Sequence, residues 1–240
     1  MKRFLQNPIG ILFIILLLAE ALLDHYYGTP MEWIMDKIMI LPGIIIGLSF
    51  HEFAHAKVAD LCGDPTPRLQ GRVTINPLAH IDLFGFIALF FIGFGWGRAV
   101  EIDPRNFKNP RRDELLVGLA GVTMNLILAI LFTAIMKMLF TFSPHFLYTG
   151  LGEIVISILQ KVVLINLVLM VFNLIPVPPL DGFNVAAELF HFRYKQIYYT
   201  LYDKGFLILM VLILFNITGM ILSPIVTSIY RLLLFIFQLI

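Results

Sequence analysis

The chain has 240 residues, of which 59% are hydrophobic and 14% are charged, and its formal net charge is +1. This composition excludes an ordinary soluble domain, and basic residues spread over short loops give no reason to expect a nucleic-acid partner. The sequence therefore predicts a polytopic membrane protein that has the lipid bilayer as its surroundings.

Six apolar segments approach or exceed the roughly 20 residues that a membrane-spanning helix needs. They are residues 9–23, 38–57, 114–140, 151–175, 205–222 and 224–240. We interpret the first as an uncleaved anchor rather than a signal peptide. A seventh stretch, residues 84–97, is short and holds four glycines. Because a cluster of arginines and lysines follows it, we predict that it is re-entrant or interfacial and does not cross.

The polar interruption at residues 62–82 contains RLQGRVTI, which predicts a short β-strand or hairpin near the cytoplasmic face. Pro65, Pro67 and Pro77 are expected to exclude helix there. The predicted fold class is therefore an all-α polytopic membrane protein with about six transmembrane helices, a re-entrant segment and a small β insertion. Without a linker or a repeat, residues 1–240 are expected to form a single domain.

The distribution of basic residues sets the predicted orientation. With Met1 in the cytoplasm and residues 84–97 not crossing, 13 of the 17 basic residues lie inside, and only Lys37 lies in an outer loop. The 13 are Lys2, Arg3, Lys57, Arg68, Arg72, Arg98, Arg105, Lys108, Arg111, Arg112, Arg193, Lys195 and Lys204. We therefore expect a multi-pass cell-membrane protein.

The second apolar segment carries HEFAH at residues 51–55. His51 and His55 are about 400° apart on a helix, so both imidazoles lie on one face and can share a metal ion. Glu52 lies about 60° from His55, where it is better placed to touch a metal-bound water than to bind the metal. This pattern is typical of zinc hydrolases. The alternative is a pair of buried histidines with ordinary hydrogen-bond partners.

A catalytic zinc site needs a third protein ligand, and Asp181 in NLIPVPPLDGF (residues 173–183) is the best candidate. Three prolines interrupt the helix there, and the alternative is a helix-ending turn with Asp181 in solvent. If residues 84–97 do not cross, Asp181 lies at the same depth as His51 and His55. If they cross, the distance is of the order of 20 Å, and no site can form.

Five motifs resemble, in order, those of the site-2 protease family of intramembrane metalloproteases. They are HEFAH (51–55), GRVTINPLAHID (71–82), WGRAVEIDPRNFKNPRRDE (96–114), AGVTMN (120–125) and NLIPVPPLDG (173–182). The resemblance covers about residues 38–190, the expected metal-site core. One departure is Gly121-Val122, where the family usually has Gly-Pro, which puts the helix geometry before Asn125 in question.

The resemblance implies a Zn²⁺ ion held by His51, His55 and Asp181, with Glu52 as the general base. It also implies that Asn173 faces the active site and contacts substrate backbone or the oxyanion. The expected substrate is a membrane protein with a transmembrane segment, and the active site is expected toward the cytoplasmic side. With no PDZ-like insertion and no C-terminal regulatory domain in sight, we expect a minimal form of the family.

Two further polar residues allow a second role. Asn125 and His80 could support the metal ligands, although a contact between helices for Asn125 and a role in loop structure for His80 are the alternatives. A different class of function is a protein that binds or moves zinc without catalysis. Glu52 discriminates against that class, because such a site has no use for an unligated carboxylate beside the metal.

Overall fold

The computed structural model describes residues 30–92 and 95–240. This part of the chain is helical and contains no strand; one isolated antiparallel bridge joins Ile81 and Gly97. The α-helices, besides a 3₁₀ turn at Pro104–Asn106, are α1 (Pro30–Cys62), α2 (Thr66–Leu69), α3 (Pro77–His80), α4 (Leu83–Ile92), α5 (Pro110–Phe142), α6 (Pro144–Leu147), α7 (Gly150–Asn173), α8 (Asp181–Leu189), α9 (Gln196–Leu214) and α10 (Ile217–Ile236).

Five helices of the described residues, α1, α5, α7, α9 and α10, are long and apolar enough to cross a bilayer. They correspond to five of the six predicted spans, and the chain is a multi-pass membrane protein. The remaining predicted span, residues 9–23, lies outside the described residues.

The chain divides into two compact units. The first comprises Met1–Ile38 and Ile81–Arg98, of which residues 1–29 and 93–94 are outside the described part. Its helix α4 has ten residues, which extend about 15 Å, half the thickness of the hydrocarbon core. That length fits a segment that does not cross, and the re-entrant path stays a prediction.

The second unit comprises Met39–His80 and Ala99–Ile240, and its core lies where α5, α7 and α10 meet. Val122, Ala129 and Met136 of α5 contact a row of buried residues on α7 and α10. That row consists of Val163, Leu167, Met170, Val171, Val226 and Leu233. Helix α5 continues without interruption through Val122, the position at which the family usually has proline. The helix before Asn125 is therefore regular in this chain.

Helix α1 lies directly against α7 at two glycines. A methyl group on Gly43 would come within 3.1 Å of the Val162 Cα atom, and one on Gly47 within 2.6 Å of Leu169 Cδ1. Small residues four apart allow membrane helices to approach this closely. The contact lies one turn before His51 and so fixes the histidine-bearing end of α1 relative to α7.

The predicted β insertion is wrong for residues 68–75. Thr66–Leu69 is helical, and Gly71 has a φ of +69° in the turn that follows. The Arg72 amide donates to the Pro67 carbonyl at 2.8 Å, so the backbone groups of this segment find partners locally rather than on another strand. The expectation that Pro65, Pro67 and Pro77 exclude helix is also wrong. These prolines lie at the starts of short helices, where the backbone N–H has no partner within the helix, so its absence in proline breaks no helical hydrogen bond.

The boundary between the last two predicted spans, residues 205–222 and 224–240, is in the wrong place. Helix α9 ends at Leu214 and α10 begins at Ile217, with Asn216 in the left-handed conformation (φ 54°) that asparagine tolerates. Pro224 lies inside α10 instead of before it. Pro224 has no N–H to donate to the carbonyl of Met220 four residues earlier, and a membrane helix tolerates such a proline where neighbouring groups satisfy that carbonyl.

Asp64 joins the loop after α1 to the loop before α5. Its side chain is fully buried and accepts hydrogen bonds from the Thr66 amide and hydroxyl, the Asn106 side chain and the Asp103 amide, at 2.6–3.1 Å. Burial opposes ionisation, but the hydrogen bonds from Thr66, Asn106 and Asp103 outweigh it and lower the pKa of Asp64.

We expect Asp64→Asn to reduce the free energy of unfolding in detergent by about 1–3 kcal/mol, since its amide would turn a donor toward the Asp103 amide. Because the folded-state pKa of Asp64 is lowered, its stabilisation is complete above about pH 4 and is lost as pH falls through that pKa. The free energies of unfolding of wild type and variant should therefore converge in acid.

Asp60→Asn is the control, because it breaks only a 3.4 Å contact to the largely exposed Arg68. It should lower the free energy of unfolding by about 0–1 kcal/mol.

Candidate metal centre

Three side chains from two distant parts of the chain meet beside α5. His51 and His55 lie one turn apart near the C-terminal end of α1 and are buried, and Asp181 is the first residue of α8. The two Nε2 atoms are 3.0 Å apart, and Asp181 Oδ2 lies 3.2 Å from His51 Nε2 and 3.1 Å from His55 Nε2. The Asp181 side chain is 21% exposed, so a solvated aspartate at this turn does not describe the structure.

The Nδ1 atom of each imidazole, on the other side of the ring from Nε2, makes a hydrogen bond to α5. His51 Nδ1 donates to Asn125 Oδ1 at 2.7 Å, and His55 Nδ1 donates to the Val117 carbonyl at 2.7 Å. A neutral imidazole with its proton on Nδ1 presents a lone pair at Nε2. Both histidines are therefore held in the tautomer and orientation that suit a metal ligand.

The three facing atoms fit a small cation. Two Nε2 lone pairs and a carboxylate oxygen are all acceptors, so their convergence repels unless a positive charge lies between them. Ligands of a tetrahedral zinc ion at about 2.0–2.1 Å lie about 3.3 Å from each other, close to the 3.0–3.2 Å found here.

A second layer of amides supports His51. Asn125 Nδ2 donates to Asn166 Oδ1 of α7 at 2.9 Å and to the Gly47 carbonyl of α1 at 3.2 Å. Asn166 in turn donates to the Val162 carbonyl at 2.8 Å. Both asparagines are fully buried. One hydrogen-bonded chain thus links α1, α5 and α7 at the level of the histidines.

One face of α5 matches the spacing of the histidines. Val117, Gly121 and Asn125 are four residues apart, as are His51 and His55, and the two helices run antiparallel here. Gly121 lies between the two supporting contacts. A methyl group on it would lie 2.4 Å from both His51 Cε1 and His55 Nε2. Only glycine leaves room for the imidazole pair against this helix.

Glu52 does not belong to the group of three ligand atoms. Its Oε2 accepts a hydrogen bond from the Val100 amide at 3.1 Å, so the segment after Arg98 holds this carboxylate. A cavity of about 310 Å³ is lined by His55 and Asp181, by the apolar Val100 and Ile102, and by polar side chains that include Asn184.

The other predicted site residues have different partners. Asn173 ends α7, and its Nδ2 donates to the Leu169 carbonyl of the same helix at 3.0 Å. His80 is buried, but its Nε2 bonds the Thr74 carbonyl in its own loop at 2.7 Å. Asn125 alone among these three contacts a candidate ligand.

Sequence reasoning missed three contacts that shape the centre. The Val117 carbonyl carries no sequence signal, because any residue supplies one. Asn166 was detectable as an isolated amide in an otherwise apolar span, where polar side chains mark functional or interhelical contacts. The amide contact from Val100 to Glu52 depends on the path of a loop, which local patterns do not specify.

The sequence is similar to a family of peptidases and to proteins named as zinc metalloproteases. The sequence profile of peptidase family M50 matches residues 39–149 and 147–216. Two relatives carry names of the form "Putative zinc metalloprotease". YwhC of Bacillus subtilis is 38% identical over 170 residues, which cover 70% of this chain and 74% of the relative. Rip2 of Mycobacterium tuberculosis is 32% identical over 160 residues, 64% of this chain and 58% of the relative. No solved structure matches the chain.

We expect Gly121→Ala to lower zinc affinity by about tenfold or more, because the added methyl displaces one or both imidazoles. Zinc binding to purified protein in detergent, measured by competition with a chelating dye, tests this. Gly150→Ala is the matched control, since a methyl there meets nothing within 4 Å, and it should bind zinc like wild type. Equal affinities for the two variants would contradict the assignment of this face of α5 to the centre.

Proposed function

Since the chain belongs to peptidase family M50, the site-2 protease family, and is an intramembrane zinc metalloprotease, we propose that it hydrolyses peptide bonds in or near transmembrane segments of membrane proteins. We assign the zinc ligands as His51, His55 and Asp181 and the general base as Glu52. The assignment treats the chain as a single metalloprotease domain with its metal-site core at about residues 38–190.

One observation carries the ligand assignment. Three acceptor atoms from α1 and α8 lie within 3.0–3.2 Å of each other, while the far nitrogens of both imidazoles are committed to α5. A buried pair of histidines with a purely structural role would instead use donors and acceptors in matched pairs. Three protein ligands are also the number that catalytic zinc sites use, so a zinc ion held here would keep one position for water or substrate.

The reaction divides between the metal and the chain's own residues. A zinc ion bound there supplies Lewis acidity, which activates water and polarises a carbonyl group. His51 and His55 would hold the ion through Nε2, and they stay oriented because Asn125 and the Val117 carbonyl hold their Nδ1 protons. Asp181 adds a negative charge that lowers the net charge of the centre.

Glu52 moves the protons in this proposal. The hydrogen bond from the Val100 amide holds Oε2, which leaves the other carboxylate oxygen to accept a proton from the attacking water. The same carboxylic acid then delivers the proton to the leaving amine. Asn173 remains a candidate contact for substrate backbone or the oxyanion, which requires its amide to leave the Leu169 carbonyl.

We further propose that the centre lies toward the cytoplasmic side of the membrane. The C-terminal ends of α1 and α7 and the N-terminal end of α5 carry the site, so these ends share one side. The basic residues Arg105, Lys108, Arg111 and Arg112 flank that end of α5, and such residues favour the cytoplasm. Substrates therefore meet the site from within the bilayer near its inner leaflet.

Glu52→Gln should abolish cleavage while zinc stays bound. Loss of a general base lowers turnover by about 10²–10⁴-fold, whereas the three ligands are unchanged. The measurement is cleavage of a panel of single-span membrane proteins reconstituted with the purified enzyme, together with zinc content by elemental analysis.

Glu153→Gln, at an exposed position on α7, is the control and should cleave like wild type. Equal cleavage by the Glu52→Gln enzyme would remove Glu52 as the base. If no member of the panel is cut by wild type while zinc binds tightly, the result favours a zinc-binding protein without peptidase activity.

The proposed orientation predicts which end of α5 faces the cytoplasm. In a Cys62→Ser background, which removes the only cysteine, Lys108→Cys should react with a membrane-impermeant maleimide only in inverted vesicles. Ser143→Cys, at the other end of α5, should react only in intact cells. The reverse pattern would place the site on the outer side.

A further inference from the structure

A largely buried arginine outside the metal centre contacts two helices that build it. Arg193 Nε lies 2.9 Å from Glu114 Oε2 of α5 and 3.7 Å from Glu188 Oε1 of α8. Its Nη1 donates to Asn184 Oδ1 of α8 at 3.0 Å. The side chains of Glu114 and Glu188 are only 9% and 5% exposed. Carboxylates this buried need a cation, and a planar guanidinium can serve several acceptors at once.

The partners of Arg193 on α8 share a helix face with the proposed third ligand. Asp181, Asn184 and Glu188 are at positions 0, 3 and 7 of α8, so they lie within about 60° of each other around the axis. The guanidinium therefore contacts the face of α8 that begins with Asp181. Tyr198 supports these contacts, because its hydroxyl donates to Asn184 Oδ1 at 3.0 Å and the centre of its ring lies 4.5 Å from the Arg193 Cζ atom.

The partner of Arg193 on α5 lies one turn from a group that orients His55. Glu114 is three residues before Val117, whose carbonyl accepts the His55 Nδ1 proton. Gly118 lets the two helices come close, because a methyl group there would be 2.9 Å from Val185 Cγ2. Arg193 thus ties α8 to the part of α5 that sets the position of the imidazoles.

We propose that Arg193 is a positioning residue for the metal centre. Its contacts with Glu114 of α5 and with Asn184 and Glu188 of α8 form a clamp that holds α8 against α5. The clamp fixes the distance from Asp181 to the two imidazoles. A shift of one residue along a helix moves a side chain by about 1.5 Å, whereas metal–ligand distances vary by only about 0.2 Å. Loosening the clamp therefore weakens metal binding through Asp181. The inference rests on the proposed role of Asp181 as a ligand.

The test measures metal affinity rather than cleavage. Zinc and cobalt affinities are compared for purified wild type, Arg193→Gln and Arg193→Lys. We expect Arg193→Gln to bind about 10–100-fold more weakly, with a changed cobalt absorption spectrum because the carboxylate is lost from the metal. Arg193→Lys should show a smaller loss, since an ammonium group cannot reach all three partners in the geometry of a guanidinium.

Arg105→Gln is the matched control. The Arg105 side chain is 88% exposed and pairs with Asp103 at 2.7 Å, so its loss should leave metal affinity unchanged. If Arg193→Gln does not fold, the metal affinity of Arg193→Lys tests the proposal instead. Wild-type metal affinity in Arg193→Lys would then overturn it.

A double-mutant cycle shows whether Arg193 acts through Asp181. Asp181→Ala alone should weaken metal binding, and adding Arg193→Gln should weaken it no further. Additive losses in the double variant would overturn the proposal that Arg193 acts through Asp181. Wild-type affinity in Asp181→Ala would refute both the ligand role of Asp181 and the clamp. If Asp181→Ala binds weakly but both Arg193 variants bind like wild type, only the clamp is refuted.

Discussion

The structure depends on one electrostatic constraint: His51 Nε2, His55 Nε2 and Asp181 Oδ2 lie within 3.0–3.2 Å of each other in a buried space, while the Nδ1 atoms of both imidazoles donate to α5. With the protons on Nδ1, the three facing atoms are acceptors and need a cation between them, and relatives of the chain carry the name zinc metalloprotease. The glycine contact between α1 and α7, the glycine on α5 and the docking of α8 all keep these atoms together. The fold of the second unit can be understood as the support for that point.

Polar side chains at membrane depth form a continuous chain of hydrogen bonds rather than separate pairs. His51 donates to Asn125, Asn125 donates to Asn166, and Asn166 donates to a carbonyl of its own helix. Each unpaired group in an apolar environment would cost roughly 1–3 kcal/mol, so the chain of bonds specifies the relative depth of α1, α5 and α7. The same hydrogen bonds that orient the imidazole of His51 therefore also set the packing of α1, α5 and α7.

The meeting of His51, His55 and Asp181 was predictable because the sequence signals of these residues are local. His51 and His55 follow the helical repeat, and Asp181 ends a proline-rich break that the structure contains at residues 174–180. The topological argument that brought Asp181 to the histidines agrees with the distances found. Prediction failed where tertiary partners decide. Residues 68–75 had a strand-like pattern but satisfy their backbone groups locally, and Arg193 was counted only as a positive charge because sequence does not reveal burial.

Asp181, the third ligand of the proposed site, lies 126 residues after His55, beyond two more membrane helices and the loop that follows them. While the ribosome is still making α5 and α7, the growing chain carries only the two imidazoles of that site. The proposed site can therefore be complete only after α8 has been synthesised and has packed against α5.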